Sequence, residues 1–156
     1  MPKLLIPIVT VLLAAPFAWM VTAAPSSASI PFTTISNGNF SNWQGGQADF
    51  VVRRQNEWEL VWNQHFPGTG PPKIDFKQYD VYCCFMGYIT TGGYSIEVTG
   101  IENDGAKVTV NVVETSPGIN CAVTNVITNP HHFVAVPKQP SIPVRFNHQY
   151  IVNNCP

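Results

Sequence analysis

The stretch VYCCFMGYITTGGYSIEVTGIENDGAKVTVNVVETSPG, residues 81–118, decides the fold class. Its first six residues, Val81 to Met86, are apolar on both faces of an extended chain, the pattern of a central strand covered on two sides. Gly87 to Gly93 reads as a loop. Tyr94 to Ile101 then alternates, with Ile96 and Val98 on one face and Ser95, Glu97 and Thr99 on the other, the period-two signature of a half-buried strand. Asn103-Asp104-Gly105 predicts a hairpin with a type I′ turn, because Asp-Gly tolerates positive φ. Lys107 to Glu114 returns with Val108, Val110 and Val112 inward, and Ser116-Pro117-Gly118 turns the chain again.

Working outward, Ala122–Thr128, Phe133–Val136 and Val144–Val152 read as further strands on the C-terminal side, and Ala48–Arg53 (ADFVVR) as one on the N-terminal side. A single helix is expected from Asn56, with Glu59 three residues later as in a capping box. Trp58, Val61, Trp62, His65 and Phe66 follow the i, i+3, i+4, i+7, i+8 spacing of one apolar face, and Pro67-Gly68 ends it. The fold class is therefore mainly β (α+β): a compact antiparallel β-sandwich or open barrel of about six to eight strands with one short packed helix.

Composition narrows the function classes. Charged residues make up 11% of the 156 and the net charge is −1, against roughly 25% charged in an average soluble protein. So few Lys and Arg exclude a phosphate-neutralising nucleic-acid binder. Aromatic content of 12% excludes a disordered chain. Fourteen prolines and 11 glycines argue against a helical bundle.

The N-terminus reads as a secretory signal, residues 1–23: Lys3, then the uncharged run Leu4–Val21, then small residues Thr22-Ala23-Ala24. Pro7 and Pro16 interrupt the run and no basic cluster follows it, so no stable membrane span is expected after cleavage. Residues 24–47 read as a polar segment and 48–156 as the β domain. Asn39-Phe40-Ser41 is a glycosylation sequon, meaningful in a eukaryotic source. The expected localisation is secreted, periplasmic or cell-surface. An even count of four cysteines fits that compartment. Cys83 and Cys84 are adjacent and point to opposite faces of a strand. Cys121 follows a Pro-Gly turn and Cys155 lies at the chain end, so Cys121–Cys155 is the favoured disulfide, with Cys84–Cys121 as the alternative.

No enzyme signature emerges. The histidines are His65, His131, His132 and His148, and neither H-E-x-x-H nor C-x-x-C spacing is present. No metal site and no cofactor are expected. G-x-S-x-G and phosphate-loop patterns are also missing. The distinctive segment is Thr90-Thr91-Gly92-Gly93-Tyr94. It reads either as a β-bulge or tight turn, or as a recognition loop on a rigid scaffold. With His131 and His132 it forms the expected binding set.

The order of motifs resembles the PrcB C-terminal domain family, the protease complex subunit PrcB-like proteins. The resemblance rests on RRQNEWELVWNQH (53–65), PKIDF (72–76), FMGYITTGGYSIEV (85–98), ETSPG (114–118), Val123-Thr124, TNPHHFVAVPK (128–138) and PVRF (143–146). Tyr88-Ile89 and Cys83-Cys84 depart from the family pattern. The resemblance implies an exported, non-catalytic interaction domain that assists or stabilises a protease. The alternatives are a protease inhibitor acting through the Thr90–Tyr94 and Thr128–His132 loops, since TTGGY is similar to a loop of chagasin-type inhibitors, and a small carbohydrate-binding or hydrolytic module. The expected partner is a protease or another extracytoplasmic protein.

Overall fold

A computed structural model describes residues 27–155; the expected signal segment lies outside them. Eight strands and one helix follow in the order β1 (Ala28–Ser29), β2 (Thr33–Gly38), β3 (Ala48–Val52), α1 (Gln55–His65), β4 (Tyr79–Phe85), β5 (Ser95–Asn103), β6 (Val108–Pro117), β7 (His131–Pro137) and β8 (Val144–Asn153). They form two four-stranded sheets, β1-β5-β6-β8 and β2-β7-β4-β3. Every pairing is antiparallel except β6–β8, which is parallel.

The period of two in the sequence builds the core between the sheets. Ile96, Val98, Ile101, Val108, Val110 and Val112 of β5 and β6 meet Tyr82, Cys84, Val134 and Val136 of β4 and β7. The opposite face of β4 and β7 carries Val81, Cys83, Phe85 and Phe133, and the helix covers it with Trp58. β4 is thus buried on both faces, and its adjacent cysteines serve different cores. Burial pushes both thiols up, which keeps them protonated and inert.

Several local expectations give way to tertiary context. The segment 24–47 is no mere leader: β1 pairs with β5 and β2 with β7, so the polar Ser/Thr-rich sequence supplies edge strands with one wet face. Residues 122–128 form a loop rather than a strand, held by one bridge, Ile89 to Thr128. The helix starts at Gln55 with Arg54 as N-cap and no side-chain cap; Glu57 folds back to accept from the Arg53 amide at 3.2 Å. The hairpin after β5 has a four-residue loop, 104–107, in which Gly105 alone takes positive φ (85°). Asp104 does not take positive φ; its carboxylate accepts from the amides of Ala106 and Lys107, both at 2.9 Å, a local turn that competes with type I′.

Candidate functional site

The segments after β4 and after β6 meet at one end of the sandwich. Ile89 and Thr128 exchange backbone hydrogen bonds of 2.9 and 2.8 Å, and the Gly92 amide donates to the Thr124 carbonyl at 2.8 Å. The Thr128 hydroxyl donates to the Thr91 carbonyl at 2.9 Å. Gly93 has φ +90° and packs against Pro117 and Val123, and a side chain at buried Gly92 would strike the Thr124 hydroxyl at 2.5 Å. The two glycines therefore let one segment lie flat on the other. Thr90 and Gly93 stay exposed, Thr91 and Tyr94 are half-buried, and the TTGGY segment is a seated loop rather than a projecting one.

The projecting side chains belong to its neighbours. Ile119 is fully exposed at 100%, Ile127 is 50% exposed, and Tyr88, Val123 and Val126 are exposed as well. A disulfide between Cys121 and Cys155, with Cα atoms 5.0 Å apart, ties this loop to the end of β8; it is the pair that the sequence favours. The Gly118 amide donates to the Asn153 carbonyl at 2.8 Å beside it. Residues 81–96, 115–137 and 146–156 contain no Asp, Glu, Lys or Arg. This end of the molecule thus combines a fixed backbone, exposed aliphatic tips and no formal charge.

His131 and His132 do not join that surface. Both are buried at the start of β7. The Val98 amide donates to His132 Nδ1 at 2.9 Å, which leaves Nε2 as the donor to the Thr34 hydroxyl, also at 2.9 Å. Val98 adjoins the register break between Val98 and Gly100, where the ladder is disrupted, so His132 fastens one sheet to the other. His131 Nε2 lies 2.9 Å from the Ser36 hydroxyl. Burial lowers the proton affinity of both rings. Their adjacency in sequence hides that β2 and β5 each bring a partner from far along the chain.

A polar cluster that sequence spacing did not reveal lies at the seam between the edge strands β3 and β8. His148 Nε2 faces Asp49 Oδ2 at 2.9 Å, and its Nδ1 bonds Glu114 Oε1. One ring nitrogen thus faces each carboxylate. The Gln47 amide also donates to Glu114. A groove of about 700 Å³ runs outside the cluster, lined by Gln47, Ala48, Asp49, Arg145, Phe146, His148 and Tyr150. The two carboxylates lie 65 residues apart, on strands of different sheets, which no linear motif reports. Cys84, behind Asp49, is fully buried and its thiol is pushed up by burial and by the Asp49 charge, so it stays protonated.

Among the described residues, no group of three or more His, Cys, Asp or Glu is placed to hold a metal ion, and no helix is long and apolar enough to cross a membrane. The model of the PrcB C-terminal family matches residues 81–137, in agreement with the resemblance carried by the sequence motifs. The matched span runs from β4 to the end of β7 and includes the TTGGY loop and all of its seat; α1 and β8 lie outside it. Comparison with curated proteins and with solved structures returned no match.

Proposed function

We propose that the protein is an exported, non-catalytic interaction domain whose uncharged end, formed by the Tyr88–Tyr94 and Ile119–Thr128 segments, binds a partner protein. The observation that carries this reading is the set of exposed aliphatic residues on loops locked by a disulfide and a glycine-mediated seat. Exposed apolar patches on a rigid scaffold are the usual mark of a protein contact, and pre-ordered loops lower the entropic cost of binding. The family match favours a protease as the partner, and a role in stabilising it rather than blocking it. The disulfide fits an oxidising compartment.

The Asp49–His148–Glu114 cluster is the observation that most favours an enzyme. Two carboxylates beside a groove are the ingredients of glycoside hydrolysis. Glu114 is buried, however, and His148 bonds both carboxylates. We read the cluster as a clasp between two sheet edges. A panel of exported proteases separates the roles: incubation with this protein should lengthen the half-life of its partner protease without lowering the initial rate. A fall in rate at equimolar protein supports the inhibitor reading, and hydrolysis of a glycoside that is lost in Glu114→Gln supports the enzyme.

A further inference from the structure

Each sheet has two edges, and three of the four are blunted. β1 is two residues long. β2 has a polar sequence, TTISNG, and a register break between Thr34 and Ser36. β3 is five residues long, and His148 reaches across to Asp49 within it. Short strands, bulges and covering groups are the devices that keep sheet edges from pairing with other chains. β8 has none of them over its second half. It runs for ten residues in unbroken register with β6 from Val144 to Asn153. After Arg145 the strand contains no charge and no proline. Tyr150, Ile151 and Val152 are 68%, 42% and 57% exposed in succession, so both faces of the strand are open here, not only one. No described residue pairs with its outer edge, where alternate backbone N–H and C=O groups point away from β6.

We propose that a second copy of this chain occupies that edge, β8 pairing antiparallel with β8 of the other copy about a two-fold axis at Ile151. The segment Gln149–Asn153 is its own complement. Such a pairing sets Ile151 opposite itself and Tyr150 opposite Val152, a favourable aromatic–aliphatic cross-strand pair on each side of the axis. It brings no like charges together, since residues 146–156 have none. A charged partner strand would find no counter-charge along this segment, which favours pairing with its own uncharged sequence. Two-fold contacts of this self-complementary kind are the commonest in soluble oligomers.

Light scattering on the mature protein over a concentration series gives the mass directly. The expected result is a dimer for the wild type and a monomer for both Ile151→Lys and Val152→Lys, each with a wild-type far-UV spectrum because the replaced side chains are exposed. Ile151→Cys provides a second, positional readout. Residues facing each other across an antiparallel pair have Cα atoms about 4.5–5.5 Å apart, within disulfide reach, so mild oxidation should link the variant to itself, whereas Leu60→Cys on the exposed face of α1 should not link. A wild type that remains monomeric at the highest concentration, or a dimer that survives both lysine substitutions, overturns the proposal. Partner binding through the loops is measured separately, so either proposal can fail alone.

Discussion

Acid should loosen this protein through His65, and the size of the effect follows from where the ring sits. His65 is 1% exposed, stacked on Phe85 with ring centroids 4.1 Å apart and flanked by Trp43 at 5.3 Å. Burial in this aromatic cluster, helped by the neighbouring charge of His131, lowers its pKa from 6.5 to about 4. The folded state therefore refuses a proton that the unfolded chain accepts. The full stability is present above about pH 6.5, is lost as the pH falls from there towards 4, and levels off below. At about 1.4 kcal/mol per unit, the loss should reach about 2.5 kcal/mol at pH 4.5. Urea unfolding at pH 7.5 and 4.5 measures it, and His65→Phe isolates it. The phenyl ring keeps the stack with Phe85 and cannot titrate. The difference in stability between the two pH values should shrink by about 2.5 kcal/mol in the variant. His131 and His132, lowered by burial in the same direction, supply a residual dependence common to both proteins. An identical pH dependence in His65→Phe would mean that the folded ring accepts a proton as readily as the free one, and that its burial does not depress its proton affinity.

Trp58→Ala should destabilise the fold by ~3–5 kcal/mol, since Trp58 is fully buried and its indole donates to the Pro72 carbonyl at 3.0 Å; Trp62→Ala, at a half-buried position, should cost clearly less in the same thermal melts. Reducing Cys121–Cys155, or replacing both residues by Ser, should lower stability by ~3–4 kcal/mol, as expected for closing a loop of that length, read by denaturant titration with and without reductant. Gly93→Ala should cost about 1–2 kcal/mol for a side chain at φ +90°, which chemical denaturation resolves. His148→Leu should leave Asp49 and Glu114 without their shared hydrogen-bond partner and destabilise by about 1–3 kcal/mol, with a smaller loss in the Glu114→Gln background, where that network is already altered.

Much of the architecture was legible because it is local. Alternation in Ser95–Thr99 and Val108–Val112, the two-faced run Val81–Phe85 and the helical stripe of Trp58, Val61, Trp62, His65 and Phe66 each report burial at the residue's own position. What escaped was decided at a distance. Thr33–Gly38 is polar and reads as a leader, yet it becomes β2 because β7 offers it a hydrogen-bonding edge. Ala122–Thr128 has β propensity but no neighbour to ladder with beyond Ile89, so it stays a loop. Helical spacing of Trp58 and Trp62 did not tell which would be fully enclosed. At the candidate site, the glycine pair was visible as a backbone device. The exposed tips Ile119 and Ile127 were not, since an aliphatic residue in sequence is read as core unless its neighbours say otherwise. The Asp49–His148–Glu114 cluster joins three strands from both sheets and leaves no linear trace.

Paired affinity capture from the native secretion asks whether the uncharged loop end is the contact surface. Wild-type protein and an Ile119→Asp, Ile127→Asp double variant serve as baits in parallel, after thermal melts establish that both are folded to the same extent. Both side chains are exposed, so the substitutions change the surface and not the core. The wild type should retain a stoichiometric partner in low and high salt alike, because no charge pairing holds it, and the double variant should lose that partner. Recovery of the same partner in the same amount by the folded double variant would contradict this assignment of the contact surface.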